Sequence, residues 1–375
     1  MKATLIALAA ALSLHAAAAL PVPAAPDLSA RAYLLLDFNS GSTLAAKNPD
    51  TRIEPASLTK LMTAYLTFQA LKEGRLQGSQ QFTVSEKGWK TEGSRMFLDP
   101  KKPASVDDMI RGMIVQSGND ACVTLAEAIA GSEETFAGMM NQQALKLGMK
   151  GSHFMNSTGL PHPQHYTTAR DLGILAAAII RDFPQYYPIY ALKEFRYNNI
   201  SQPNRNQLLY RDPQVDGMKT GHTESAGYCL VASKKSADRR VLSVILGTDS
   251  DKTRADESAR LLGYGMQFFD TPRLFAARTA VAQARVFKGA QDSVAAGFDR
   301  DQYVTVVKGA GARVQKQIVL KPALVAPLKA GEQVGSVKLS LDGKLLGELP
   351  LKALAAVPEA GFFGRSIDSV KLWFN

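Results

Sequence analysis

The texture of this chain changes at about Ala276, and that change constrains its fold more than any single residue does. Before it, apolar positions recur at helical spacing between β-like runs. After it come short stretches, Gln302 to Val307, Gln317 to Leu320 and Gly335 to Leu341, punctuated by Gly and Pro. A chain of 375 residues can hold two or three domains, so the break predicts a helix-and-strand domain followed by a β-rich one. With 46% hydrophobic and 21% charged residues, the composition excludes collagen-like and wholly disordered chains. Two cysteines, Cys122 and Cys229, are too few for a disulfide scaffold or a four-thiolate zinc site, leaving one bridge or two buried thiols.

Within the first part, Arg31 to Asp37, the turn Asn39-Ser40-Gly41 and Ser42 to Lys47 predict a β-hairpin. An amphipathic helix is expected from Ser57 to Glu73, entered after Pro55 and stopped by Gly74, with Leu61, Tyr65, Phe68 and Leu71 near one face. Ser105 with Asp108 starts a helix, and another runs from about Ser132 to Gly148. Gly227 to Ser233 and Val241 to Thr248 read as an antiparallel pair, followed by helix from Asp251 to Phe269.

The two ends have their own character. Residues 1–19 join Lys2, an apolar run from Leu5 to Leu14 and small residues to Ala19, the layout of a secretory signal peptide. Export and a net charge of +10 point to lipid headgroups or cell-wall polymer as partners, not nucleic acid. More than half of that excess lies in the β-rich part, where residues 278–357 hold twelve Lys or Arg and six Asp or Glu. From Pro358 to Asn375, Phe363, Ile367, Val370 and Phe374 recur at helical spacing with Phe362 and Trp373 beside them. Some fifteen helical residues rise only about 22 Å, so this segment either lies in a membrane interface or docks on the protein's own core.

Ser57 and Lys60 sit three apart on the expected helix, which puts hydroxyl and amine on one face. A serine attacks carbonyls only when a base takes its proton, and a lysine serves only if burial or a neighbouring cation lowers its pKa. One S-x-x-K proves little. Here Ser117-Gly118-Asn119 and Lys219-Thr220-Gly221 follow in the order that penicillin-recognising serine enzymes use. In that set Ser117 relays a proton to the leaving amine and Asn119 donates its amide to the substrate backbone. Lys219 holds down the pKa of Lys60 and attracts a carboxylate, and Thr220 hydrogen-bonds it. Gly221 admits a peptide close to the strand, and backbone N–H groups of Ser57 and His222 form an oxyanion hole.

The segments PASLTKLMTAY, RGMIVQSGNDACV, GLPHPQHYTTARDL, VDGMKTGHTESAGYCLVAS and EAGFFGRSIDSVKLWFN resemble the low-molecular-mass penicillin-binding proteins that are D-alanyl-D-alanine carboxypeptidases. The likeness spans almost the whole chain after residue 19. It implies an α/β (α+β) fold of the β-lactamase/transpeptidase type over residues 20–275, an antiparallel sheet flanked by helices. A small all-β domain over 276–357 and an amphipathic anchor over 358–375 follow. It also implies a cofactor-free serine carboxypeptidase, periplasmic and peripheral to the outer face of the inner membrane. Its substrate would be the peptidoglycan pentapeptide stem, its covalent inhibitors β-lactam antibiotics. Arg254 occupies the position that binds the substrate's terminal carboxylate in that family, the alternative being a surface ion pair with Asp251 or Glu257.

Three other readings are weighed. A class A β-lactamase needs a glutamate for deacylation, and Glu194 in EFRYN imitates it but reads as a surface residue. A zinc-dependent D-alanyl peptidase could draw on His153, His162 and His165, but no acidic ligand falls at a suitable interval, and they read better as loop histidines bordering the groove. The third is a non-catalytic wall-binding protein retaining the fold.

Overall fold

A computed structural model describes residues 22–361; the segment 1–19 and the residues after Gly361 fall outside them. Five antiparallel strands form the central sheet: β1 (Ala32–Asp37), β2 (Thr43–Lys47), β3 (Val215–Thr223), β4 (Gly227–Ser236) and β5 (Arg239–Thr248). Their order is β2-β1-β5-β4-β3, which leaves β3 at an edge. The β1–β2 hairpin follows the turn expected from Asn39-Ser40-Gly41, and its register pairs Tyr33 with Lys47.

Both faces of the sheet are covered, by side chains that alternate along each strand. On one face Leu34, Val231 and Val244 pack with α1 (Lys60–Lys72) and α4 (Ala169–Asp182), in a core shared with α2 (Asn119–Ala130) and α3 (Glu133–Leu147). On the other, Leu35, Leu230 and Ile245 meet Leu261 and Leu262 of α5 (Asp251–Phe268). Caps sit where sequence places them: Ser105 accepts from Asp108 N, Ser132 from Thr135 N, and Gly148 ends α3 in the left-handed region.

The expected one-sided stripe of α1 is not what forms. Every residue from Lys60 to Phe68 is buried, so α1 runs through the domain as a core helix. A helix buried all round carries Lys60 into a dry interior, which an amphipathic surface helix would not do.

The β-rich part is a six-stranded sheet whose core is mostly Val, Ala and Leu, among them Val286, Val334, Val337 and Leu351, with Phe298. The run Gln302 to Val307 is two short strands rather than one. Gln302–Tyr303 pairs with Arg273–Phe275, and Val306–Val307 with Phe269–Asp270, so pairing with the second domain begins before Ala276. The wholly buried carboxylate of Asp37 ties the two parts together, accepting from Arg239 Nε at 3.0 Å and Thr271 Oγ1 at 2.6 Å. Pro358 to Gly361, read as the start of a helix, are not helical: Ala290 N donates to Pro358 O and Gly289 bridges Glu359. No described helix is long and apolar enough to cross a membrane.

Candidate active site

Ser57 lies on a 3-10 turn, Ala56–Thr59, that leads into α1. Ala56 before it has φ +48, a strained conformation held from outside. The neighbour is Gly159, where any Cβ would collide with the Ala56 carbonyl. Lys60 Nζ is 3.0 Å from Ser57 Oγ and donates to Thr158 O at 2.6 Å. Burial is the main cause that lowers this amine to about 8, and the Arg205 guanidinium pushes the same way. At pH 7 about one Lys60 in ten is then neutral, against roughly three in ten thousand for a solvated lysine.

Ser117 arrives by a different device. The helix begun at Val106 widens into a π turn, Gly112–Gln116, and Ser117 closes it at φ 64. Its Oγ is buried with no hydrogen-bond partner. Asn119 opens α2, and its amide does not stand free as expected. Asn119 Nδ2 donates to Glu92 O at 2.5 Å and Asn119 N to Ser94 O at 2.7 Å, so the residue pins the loop around Gly93 and leaves Oδ1 unpaired.

Lys219 is buried and donates to Thr220 O at 3.0 Å. Its pKa is held well below the usual lysine range by burial, then by Lys60, Arg205 and Arg254. Lys60 and Lys219 disfavour each other's charge, a repulsion that acts on both amines. Lys219 does not line the cavity where a carboxylate would sit; Arg205 and Arg254 do.

That cavity, about 700 Å³, is lined by Ser57, Ser117, Thr220, Gly221, His222 and Arg254, with Arg205 and Tyr228. It borders the strand at the sheet's edge, where an extended peptide can add as a further strand. Gly221 also packs the strand closely. A Cβ there would come within 3.1 Å of Pro55 O and 3.2 Å of Leu58 N, so the missing side chain lets β3 pack on the turn that carries Ser57. Arg254 is buried, donating to Gly221 O at 3.0 Å while paired with Asp251, so the ion pair is real but not a surface one. Glu257 instead accepts from Ser29. The His222 ring stacks 3.9 Å from that of Tyr228, over which Arg254 also sits.

Arg205 and Tyr228 escaped the sequence reading. Arg205 lies between Asn204 and Asn206, whose side chains hold the loop by donating to Leu192 O and Gly217 O. An arginine flanked by two loop asparagines was the available signal.

The loop from Ser152 to Asp171 is stapled to the site. Glu133 Oε1 accepts from Ser157 N and Oγ, Thr63 donates to Ser157 O, and Thr59 Oγ1 lies 2.9 Å from His165 Nε2. Burial lowers His165 to about 4, so the ring stays neutral. None of His153, His162 and His165 lines the cavity, which corrects the expectation that they border it. Among the described residues no group of His, Cys, Asp and Glu could hold a metal. Glu194 is exposed on a short hairpin away from the cavity. Cys122 and Cys229 are buried free thiols, pushed up by burial to about 12 and about 11. A larger cavity, about 1330 Å³, lies at the domain junction, and neither Ser57 nor Lys60 lines it.

Residues 20–250 match the family model described as D-alanyl-D-alanine carboxypeptidase, and residues 269–359 the one described as penicillin-binding protein 5, C-terminal domain. The chain is 41% identical over 362 residues to D-alanyl-D-alanine carboxypeptidase DacA of Escherichia coli (strain K12), covering 94% of this chain and 90% of that protein. Its structure is similar to that of penicillin binding protein 5 from Haemophilus influenzae, with a TM-score of 0.86 and 42% identity over 90% of this chain and all of that one. An ampicillin-bound penicillin-binding protein D2 from Listeria monocytogenes matches 65% of the chain with a TM-score of 0.60 and 28% identity.

Proposed function

The chain belongs to the D-alanyl-D-alanine carboxypeptidase family, and from that premise we propose that it removes the terminal D-Ala from peptidoglycan pentapeptide stems through an acyl-enzyme on Ser57. The observation that carries this reading is the 3.0 Å contact between Ser57 Oγ and a buried Lys60 amine lowered to about 8.

Lys60 takes the hydroxyl proton as Ser57 Oγ attacks the penultimate D-Ala carbonyl. The oxyanion forms beside the backbone N–H groups of Ser57 and His222. The proton passes to the leaving amine through Ser117, whose Oγ has no competing partner, and free D-Ala departs. Arg254, Thr220 and Arg205 receive the terminal carboxylate. Water then attacks the ester, with Lys60 again as base. The carboxylate lining the cavity, Asp251, is tied to Arg254, so among the described residues no acidic group of the cavity stands ready to speed deacylation, and a β-lactam leaves slowly.

Residues 1–19 direct export to the periplasm, and the segment beyond Gly361 lies on the outer face of the inner membrane. Deleting residues 362–375 is expected to release the protein from membranes with full activity on a soluble pentapeptide; unchanged membrane binding refutes the anchor.

Ser57→Ala is expected to abolish labelling by a fluorescent penicillin and release of D-Ala. Stoichiometric labelling of that variant would remove Ser57 from the mechanism, and a wild-type protein without turnover would favour a wall-binding role.

A further inference from the structure

Another cavity, about 860 Å³, lies against the far side of the loop that Asn119 pins, and the mechanism does not use it. Its walls include Trp89 and Phe97, 45% and 47% exposed. Large aromatic rings left open to water in a concave site ask for an occupant. Phe97 is also held at φ +68, a conformation that strains a bulky residue and persists only where the surroundings enforce it. Met96 N and Leu98 N donate to the two oxygens of Asp120, each at 3.0 Å, and Asn198 Nδ2 donates to Phe97 O at 2.8 Å. Asp120 follows Asn119 on α2, so one helix start fixes the loop for both cavities. Gly93 and Ser94 line the catalytic one; Arg95 and Phe97 line the other.

We propose that this aromatic cleft binds the glycan to which the stem peptide is attached, a strand of N-acetylated sugars whose C–H faces lie on Trp89 and Phe97. The proposal rests on the carboxypeptidase reading and adds a subsite to it. Trp89 is four residues from Gly93 and Phe97 three from Ser94, so neither Cα is more than about 14 Å from a residue lining the catalytic cavity. The four stem residues up to the attacked carbonyl span about 14 Å when extended, which is the reach needed. Arg95 lines the same cleft and has no carboxylate partner among the described residues, so it is available to the acidic groups of the stem. A bilayer would need the rings on a protrusion, and they line a concavity instead.

The test compares D-Ala release by the full chain from a disaccharide-pentapeptide and from the same pentapeptide without sugar. Trp89→Ala and Phe97→Ala are each expected to raise KM for the sugar-bearing substrate about fivefold, equivalent to about 1 kcal/mol. Turnover of the bare peptide and acylation by penicillin should not change, and Trp89→Phe should retain most of the effect of the native ring. Equal losses on both substrates, or none on either, overturn the subsite. No release from either substrate by the wild-type chain overturns the carboxypeptidase reading instead. In a Trp373→Phe background Trp89 is the sole tryptophan, and its fluorescence should respond to a peptide-free disaccharide. A response to anionic vesicles but not to sugar would make the cleft a membrane contact and overturn the proposal.

Discussion

The two domains treat buried polar groups in opposite ways. The sheet-and-helix domain buries Lys60, Lys219, Asn119, Asp120 and Arg254 and leaves Ser117 Oγ and Asn119 Oδ1 without partners. From Phe269 to Gly361, Ser336 alone among the described residues is a buried polar side chain, and the core is apolar. Burying an unpaired polar group or a charge costs stability, so a fold retains one where it does chemistry. The second domain has the economy of a scaffold, and the first carries reactive groups held at a cost that its large core offsets.

Substitutions in the two domains should therefore separate turnover from stability. The largest effect is expected from Lys60→Ala, which removes the base and should slow acylation by about 10²–10⁴-fold. It also relieves a buried amine, so thermal stability should hold or rise; a fall in Tm with near-normal acylation would erase the contrast. Arg254→Gln should lower kcat/KM for D-Ala release by roughly 10²-fold. Because Arg254 also supports Gly221 O, its effect on a substrate lacking the terminal carboxylate measures how much is positioning.

The next expectation concerns pH. His165 titrates near 4 when folded and near 6.5 when unfolded, so the unfolded state takes up the proton first as pH falls. The His165 contribution to stability should decline between pH 6.5 and about 4 and level off below that. Chemical denaturation of wild type and His165→Gln across this range checks the window, and identical slopes would contradict it. The smallest effect on chemistry is expected from Val337→Ala in the second core, which should cost about 1–3 kcal/mol of stability and leave turnover per folded molecule unchanged. A matching loss of kcat would show that the scaffold shapes the site.

Much of this contrast was legible in the residues. Ser57, Ser117, Thr220 and Gly221 line one cavity, and the two serines lie where local signals are strong, on a turn after Pro55 and just before the helix start at Asn119. Caps such as Ser105 and Ser132 were readable for the same reason. What escaped depends on tertiary packing. The stripe of α1 looked one-sided because Thr63 and Thr67 count as polar, yet both are buried with hydroxyls bonded to Ser157 O and Thr63 O. The π turn before Ser117 has no signature in its apolar residues. Arg205 matters through Lys60 and Tyr228 through Arg254, neighbours far away in the chain that no spacing rule reaches.

The central claim is that burial makes Lys60 a base. It is tested most directly by the rate of penicillin acylation in single-turnover experiments between pH 6 and 10. The account predicts a rate that rises about tenfold per pH unit and levels off near 8, a limb absent in Lys60→Ala. A wild-type profile that is flat through this range, or that still climbs at pH 10 as for a solvated lysine, would contradict it.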